Sequence, residues 1–308
     1  MNFFLHCFTY LTNRIAKRSW DYFLKEQYLT EAKRMELQSL VINCTKQGVT
    51  NDKIAKEEVI VSLTTHGYRI YEASLAIESM MQGTVLPNRI VLWLDEQTQN
   101  HPLPQGLKNQ QARGLEIRYT RDIKAYTKLL PAVKAFPDAA IVTIDDDIFY
   151  PEDTLELLLR GHAEHPASIC ANYVKQITKK GKAFTSIPKL QTVNHIETSK
   201  KYFFEGFGGT LYPPHCFSNE LFNEDVFMKT TPYADDVWFN VLAIKENISI
   251  FCPDYHYRSF PYRDNENGYD ISLKRINCNP KDCKNDQQFA ATLRHFNLYD
   301  SLLASLEE

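Results

Sequence analysis

The sequence predicts an α/β protein: a mixed, mostly parallel sheet flanked by helices, with a helical extension at its N-terminus. Three observations predict it. From residue 58 onward, short β-rich runs alternate with stretches of helical periodicity. Polar or acidic groups stand directly after four successive runs, where open α/β sheets bind their ligands. The composition, 44% hydrophobic and 24% charged over 308 residues, is that of a globular chain long enough to bury a sizeable core.

Taken in order, residues 1–57 read as helical and polar and end in the charged stretch TNDKIAKEE, an extension and linker ahead of a domain spanning 58–308. Glu58–Thr64 (EVIVSLT) is the first strand. Ile70–Gln82 has apolar residues at 70, 73, 77, 80 and 81, which is helical spacing. Arg89–Leu94 is strand-like, and Leu115–Thr120 alternates with period two. Ile123–Phe136 is helical, with Pro131 expected to kink it. Ala139–Ile144 is another buried strand. Pro151–His165 opens with Pro-Glu-Asp, a helix start, and Ser168–Tyr173 adds one more strand. The second half is less regular. Lys175–Lys201 is basic and loop-rich, FFEGFGGTLYPP is a glycine-rich turn, and Ala234–Glu246 is a helix opening on two acids. Ile248–Cys252 is a strand, 253–284 is loop, and Asn285–Leu303 is a closing helix. There is no internal repeat and no low-complexity segment.

The net charge of 35 − 38 = −3 supplies no basic field for nucleic acid, so no nucleic-acid partner is expected. The seven cysteines are scattered, without a CxxC pair, which argues against a zinc site and for reduced thiols in a cytoplasmic compartment. The first residues, MNFFLHCFTYLTNRIAKR, lack a basic start before the apolar stretch and a small-residue cleavage site. Their apolar run is too short to span a bilayer. They read as a helix packed on the domain, with peripheral membrane contact through residues 1–20 as the alternative, aromatics first and then Arg14, Lys17 and Arg18.

The strand-end groups are Thr64-Thr65-His66, Asp95-Glu96, Asp122 and Asp145-Asp146-Asp147. On an extended backbone Asp145 and Asp147 would share a face and Asp146 would point away. Carboxylates held together repel one another, and a divalent cation removes that cost. Oxygen ligands suit Mg²⁺ or Mn²⁺, which takes one or two carboxylates and completes its shell with phosphate oxygens. A metal-bridged diphosphate is the natural occupant; a solvated acidic turn stopped by Pro151 is the alternative. Asp235 and Asp236 open a helix, where one can serve as a cap and the other can take a proton. Trp238 beside them reads as core, with stacking on an acceptor sugar as the alternative. Lys128 is either a contact to phosphate or an exposed helix lysine.

Seven stretches in one order, VSLTTHGYRI, LPNRIVLWLDE, RGLEIRYTRDIKAYTKLLPA, TIDDDIFYP, GFGGTLYPP, ADDVWF and NDQQ, resemble the GT-A glycosyltransferases. The likeness is to the bacterial family-2-like group and covers residues 58–290. The resemblance implies a Rossmann-like GT-A fold with a nucleotide-sugar half (58–150) and an acceptor half (151–308). It implies a nucleotide cradle at Thr64, Thr65 and Arg69, base or ribose contact at Asp95, and ribose or donor-sugar contact at Asp145, with Asp146 beside it; Lys128 remains a candidate contact to the phosphates. It sets Gly208 and Gly209 beside the donor sugar. Asp147 becomes the metal ligand, with Asp145 and His256 as further candidates, although a fixed His is not a feature of this group. Arg258 and Arg263 are candidates to meet phosphates or an anionic acceptor. Asp236, with Asp235 close behind, becomes the general base of an inverting transfer. Glu205 stands before the glycine loop where relatives often carry a neutral residue, and Asp286 reads as a helix cap. The activity implied is transfer from a nucleotide-sugar donor, a UDP-sugar foremost. The acceptor implied is a hydroxyl of a glycan or lipid-linked glycan of lipopolysaccharide or capsule, at the inner face of the membrane.

Two other classes compete. A haloacid-dehalogenase-type phosphatase also has a strand-end DxD, but wants Thr or Val two residues after the second Asp; Ile148 and Phe149 follow Asp147 here. A non-catalytic glycan- or nucleotide-sugar-binding module would not need all of Asp145, Asp147, Asp235 and Asp236.

Overall fold

The computed structural model describes residues 25, 27–254, 260–261, 277 and 282–306. The expected α/β architecture is present: an eight-stranded sheet with helices on both faces. Four parallel strands form one side of it: β1 (Val59–Thr64), β2 (Arg89–Asp95), β3 (Leu115–Thr120) and β4 (Ala140–Thr143). β5 (Ile148–Phe149) lies outside this sheet, and β6 (Ile169–Ala171) returns to it. β7 (Val174–Gln176) belongs to a separate two-stranded sheet, and β8 (Lys179–Lys180) and β9 (Ala183–Phe184) form a small hairpin. β10 (Thr198–Ser199), β11 (Tyr202–Phe204), β12 (Thr210–Tyr212), β13 (Ile250–Phe251) and β14 (Phe260–Pro261) complete the set. The sheet order is β10-β13-β6-β12-β4-β1-β2-β3.

The register explains where a site can form. Ser62 pairs with Thr143, Thr64 with Trp93, and Asp95 with Thr120, so the carboxyl ends of four parallel strands finish on one edge. β12 runs antiparallel between β4 and β6, with Thr210 opposite both Thr143 and Ala171. The glycine loop that leads into β12 therefore enters the sheet where β4 gives way to the aspartates.

The helices are α1 (27–43), α2 (Ala73–Met81), α3 (Gln105–Gln111), α4 (Leu130–Ala135) and α5 (Thr154–Glu164). α6 (Glu224–Thr230), α7 (Asp235–Lys245), α8 (Lys284–His295) and α9 (Tyr299–Ser305) follow. Alternate strand residues feed two cores. Ile60, Val91, Trp93 and Ile141 pack with Tyr126, Phe227, Trp238, Phe239 and Leu242. Val59, Val61, Leu63, Ile90 and Leu92 pack with Ile77, Met80 and Met81 of α2 and Leu155 and Leu158 of α5. α7 is covered on a second side, where Val237 and Val241 meet Phe289 and Leu293 of α8. α1 rests Leu37 and Val41 on Leu75 and Phe149. Residues 46–50 hold to the strand starts: Arg113 donates to the Lys46 carbonyl at 2.7 Å and Asn88 to that of Thr50 at 3.1 Å.

Several elements differ from expectation. The helix at 70–82 is a 3-10 turn (Gly67–Tyr71) followed by α2, and that at 123–136 is a 3-10 turn (Lys124–Lys128) followed by α4. Pro131 does not kink a helix. It sits in the first turn of α4, where the N–H it lacks would have no intrahelical partner. The C-terminal helix is two helices, separated where Asn297 adopts φ +57° and Leu298 N–H bonds back to the Leu293 carbonyl at 2.8 Å. Asn247 ends α7 in the same way, at φ +61° with Ile248 bonded to Ala243. The 175–201 stretch carries the β8–β9 hairpin. Among the described residues no helix is long and apolar enough to cross a membrane, and the membrane reading of residues 1–20 lies outside them.

Candidate active site

β4 ends at Thr143, and Asp146 and Asp147 lie on the tight turn that reverses the chain into β5. Strand alternation therefore stops before the carboxylates, and the pairing of Asp145 with Asp147 on one face is not what forms. Asp146 and Asp147 share the Arg69 guanidinium, Asp147 at 2.9 Å, whereas Asp145 turns to Lys128 at 2.8 Å. Asp146 is buried, and loss of hydration raises its carboxyl against the pull of Arg69. Asp147 keeps 45% of its side chain exposed. Lost hydration raises it too, Arg69 opposes, and the two neighbouring aspartates push further upward. The turn is pinned by Tyr150, whose hydroxyl accepts the Asp145 N–H at 2.8 Å and donates to the Phe207 carbonyl at 3.1 Å.

Lys128 is not an exposed helix lysine. It is 5% exposed, and its ammonium lies 2.8 Å from Asp145 and 3.2 Å from Asp235. Burial works against its charge, but Asp145, Asp235 and Asp236 outweigh burial and hold its pKa well above the ordinary lysine value. Its carbonyl accepts the Ser62 hydroxyl, and Ser62 in turn accepts the Trp93 indole N–H at 3.0 Å. The acids of α7 thus face those of β4 across one lysine.

Asp236 Oδ2 accepts the Gly206 N–H at 3.0 Å, while Oδ1 is buried with no hydrogen-bond partner. Burial, then the neighbouring Asp235, push its carboxyl up to about 8 against the pull of Lys128. The close approach of Gly206 needs glycine: a Cβ there would lie 2.7 Å from Asp236 Oδ1. Asn240, one turn along α7, donates to the Asp236 and Phe204 carbonyls at 2.8 and 2.9 Å and accepts the Phe204 N–H at 3.0 Å. It fastens the helix start to the strand before the glycine loop. Sequence reasoning missed Asn240, Tyr150 and Ser62. The one available signal was the i, i+4 spacing of Asp236 and Asn240, which puts both on one helix face.

The remaining candidates have other places in the fold. Thr64 donates to the Trp93 carbonyl at 3.0 Å, and Thr65 is buried next to it. Asp95 caps a short 3-10 turn through Gln97 N–H at 3.1 Å. His66 stands 3.7 Å from Asp122 at the rim. Gly208 approaches Tyr173, where a Cβ would fall 2.7 Å from the tyrosine Cβ, and Gly209 has φ +87°. Glu205 pairs with buried Lys175 at 2.7 Å, which accounts for a charged residue ahead of the loop. Trp238 is core, donating to the Leu221 carbonyl at 3.4 Å. Asp286 does not cap its own helix; it accepts the Ile187 N–H at 2.8 Å and ties α8 to the loop after β9. His256, Arg258 and Arg263 lie outside the described residues. The five described cysteines are free thiols.

Among the described residues no group of three His, Cys, Asp or Glu side chains is placed to cage a metal ion. The donors instead fit a cation that a ligand brings with it. Half-exposed Asp147 offers one hard oxygen donor, while Asp145, the next carboxylate along the chain but one, is engaged by Lys128. Mg²⁺ and Mn²⁺ sites of this kind use one or two carboxylates and complete the shell with phosphate oxygens.

No family model matches the chain, and no curated protein matches it in sequence. Solved structures do match in shape, at low identity. An inositol-1-phosphate CTP transferase from T. maritima matches at 10% identity and TM-score 0.43, over 82% of this chain and 99% of that one. A CMP:2-keto-3-deoxy-manno-octonic acid synthetase solved with CTP matches at 13% identity and TM-score 0.40, over 71% and 98%. The mannosyltransferase PcManGT from Pyrobaculum calidifontis, solved with GDP-Man and Mn²⁺, matches at 14% identity and TM-score 0.31, over 46% of each chain. At these identities and TM-scores the likeness carries no argument, and the chemistry is left to the site itself.

Proposed function

We propose that this chain is a metal-dependent, inverting glycosyltransferase of GT-A type. It would move a sugar from a nucleotide-diphosphate donor, a UDP-sugar foremost, to a hydroxyl of a glycan or lipid-linked glycan of lipopolysaccharide or capsule. One observation carries the reading: Asp145 of the strand-end acids and Asp235 of the helix-start acids meet on a single buried lysine, beside the glycine loop whose Gly206 amide Asp236 holds. A substrate-binding site alone does not need two opposed carboxylate sets. A transferase does, one for the leaving group's cation and one for the incoming hydroxyl.

In this scheme residues 58–150 bind the donor and 151–308 the acceptor. Thr64, Thr65, Arg69 and Asp95 line the nucleotide side, and Gly208 and Gly209 leave room for the sugar. Asp147 would hold Mn²⁺ or Mg²⁺, which when bound would neutralise charge on the departing diphosphate, and Asp145 would face the ribose or donor sugar. Asp236 Oδ1, the buried oxygen without a partner, takes the proton of the acceptor hydroxyl. The acceptor oxygen forms its bond to the anomeric carbon as the bond to the diphosphate breaks, and the electron pair of the broken bond leaves with the nucleoside diphosphate. Once ionised, a carboxyl pushed up to about 8 is a stronger base than an ordinary aspartate, so transfer is expected to quicken as pH rises toward that value.

The test is nucleoside diphosphate release from a panel of nucleotide sugars, with Mn²⁺ and with EDTA, alongside Asp147→Ala. Release from one donor, lost with EDTA and with the substitution, is the expected result. No release from any donor, with nucleotide binding retained, would replace the reading with a binding module. Pyrophosphate release from CTP and a free sugar would replace it with nucleotidyl transfer.

A further inference from the structure

We infer that Lys128 is a positioning residue that locks the donor-side acid Asp145 to the acceptor-side acid Asp235, and that it is not a ligand of the donor phosphates. The inference rests on the transferase reading of this site.

The geometry leaves the ammonium little else to do. Its contacts at 2.8 Å to Asp145 and 3.2 Å to Asp235 aim it at carboxylates of two different elements, and the side chain is 7% exposed. On a further side stands Gly206, where even an added Cβ would come within 3.4 Å of Nζ. A phosphate would have to displace one of the two carboxylates to reach it. The backbone around it is fixed from both halves of the fold. The Lys128 carbonyl is held by Ser62 of β1, which is itself held by Trp93 of β2. Two residues earlier, the Tyr126 hydroxyl lies 2.7 Å from both the carbonyl and the hydroxyl oxygen of Thr231, in the segment leading to α7. The 3-10 turn Lys124–Lys128 is thus a strut from the sheet to the helix that carries Asp235 and Asp236, and its last side chain is the tie between the two acid sets.

A tie and a phosphate ligand fail differently when removed. Losing a phosphate ligand weakens nucleotide binding. Losing the tie leaves Asp145 and Asp235 facing each other without a cation, so both shift while the nucleotide cradle stays. A misplacement of about 1 Å at a reacting centre costs on the order of 100-fold in rate.

The experiment compares wild type, Lys128→Met and Lys128→Met/Asp235→Asn for nucleoside diphosphate affinity by calorimetry with Mn²⁺, and for kcat and donor KM in transfer. The inference expects Lys128→Met to hold Kd and donor KM within about threefold while kcat falls about 100-fold or more. It expects the double variant, in which the opposing charge is gone, to regain at least tenfold in kcat. Should Lys128→Met not fold, the double variant and Lys128→Arg carry the same comparison. A tenfold or larger loss of nucleotide affinity with kcat unchanged would overturn the inference and return Lys128 to the phosphates. A double variant no better than the single one would overturn it as well. Those results leave the transferase reading standing if wild type turns over; a wild type that releases no nucleoside diphosphate overturns both.

Discussion

Asp236 has one oxygen on the Gly206 amide and one buried without a partner, and its folded carboxyl is raised to about 8. A carboxyl raised above its unfolded value, about 3.9, holds its proton better in the native state. Its stabilising contribution is full below pH ~4 and is lost as pH climbs through the folded value. Asp236→Asn removes the ionisation. The variant should therefore gain thermal stability over wild type progressively from pH 5 to pH 9, with little gain at the acid end. Melting curves of the ligand-free protein across that range check this, and a gain that does not grow with pH counts against a raised Asp236. Gly206→Ala should pair near-normal folding with a loss of turnover on the order of 100-fold, because its Cβ meets Asp236 Oδ1 at 2.7 Å. At this scale the acids were legible in the sequence, since carboxylates at strand ends and helix starts are costly without a use. Their supports were not. Ser62, Tyr150 and Asn240 are ordinary polar residues until the fold brings a carbonyl or amide from 36 to 66 residues away into reach.

Element by element, the parallel strands were legible because apolar runs covered on both faces have few other uses. The boundaries were harder. Gly67–Tyr71 and Lys124–Lys128 continue the apolar spacing of the helices after them, so periodicity merged each pair. Both turns carry site residues, Arg69 and Lys128. The joint between α2 and α3 was invisible. Glu78, fully buried, takes both arms of Arg113 at 2.7 and 3.0 Å and also accepts from Gln82 and Gln110. A buried pair repays its desolvation only when such bonds are complete, and removing one partner strands the other charge. Glu78→Ala is expected to cost about 3–5 kcal/mol in denaturant melts. Glu78→Leu/Arg113→Met should cost clearly less than the two single changes summed. Turnover per folded molecule should be unchanged in these variants, because neither residue touches the acid cluster. A loss below about 1 kcal/mol for Glu78→Ala would mean the pair is open to water.

For the whole molecule, the fold collects five aspartates at one sheet edge with two cations, Arg69 and Lys128, among them. With all five ionised the site would carry more negative than positive charge, which opposes compaction and is one reason the Asp146, Asp147 and Asp236 carboxyls are shifted upward. The sequence disclosed this only in part, because a net charge of −3 spread over 308 residues hides where the acids gather. A ligand that brings a divalent cation to Asp147 relieves the excess, so nucleotide and metal should stabilise together more than separately. At a hundredfold excess over Kd, a nucleoside diphosphate with Mn²⁺ should add about 2.7 kcal/mol. That corresponds to a rise of ~4 °C in Tm for a chain of 308 residues. With EDTA, or in Asp147→Ala, most of that rise should vanish while the same nucleotide concentration is kept. Equal stabilisation with Mn²⁺ and with EDTA would show that Arg69 suffices for the diphosphate. The aspartates would then have to be explained by contacts to sugar and acceptor alone.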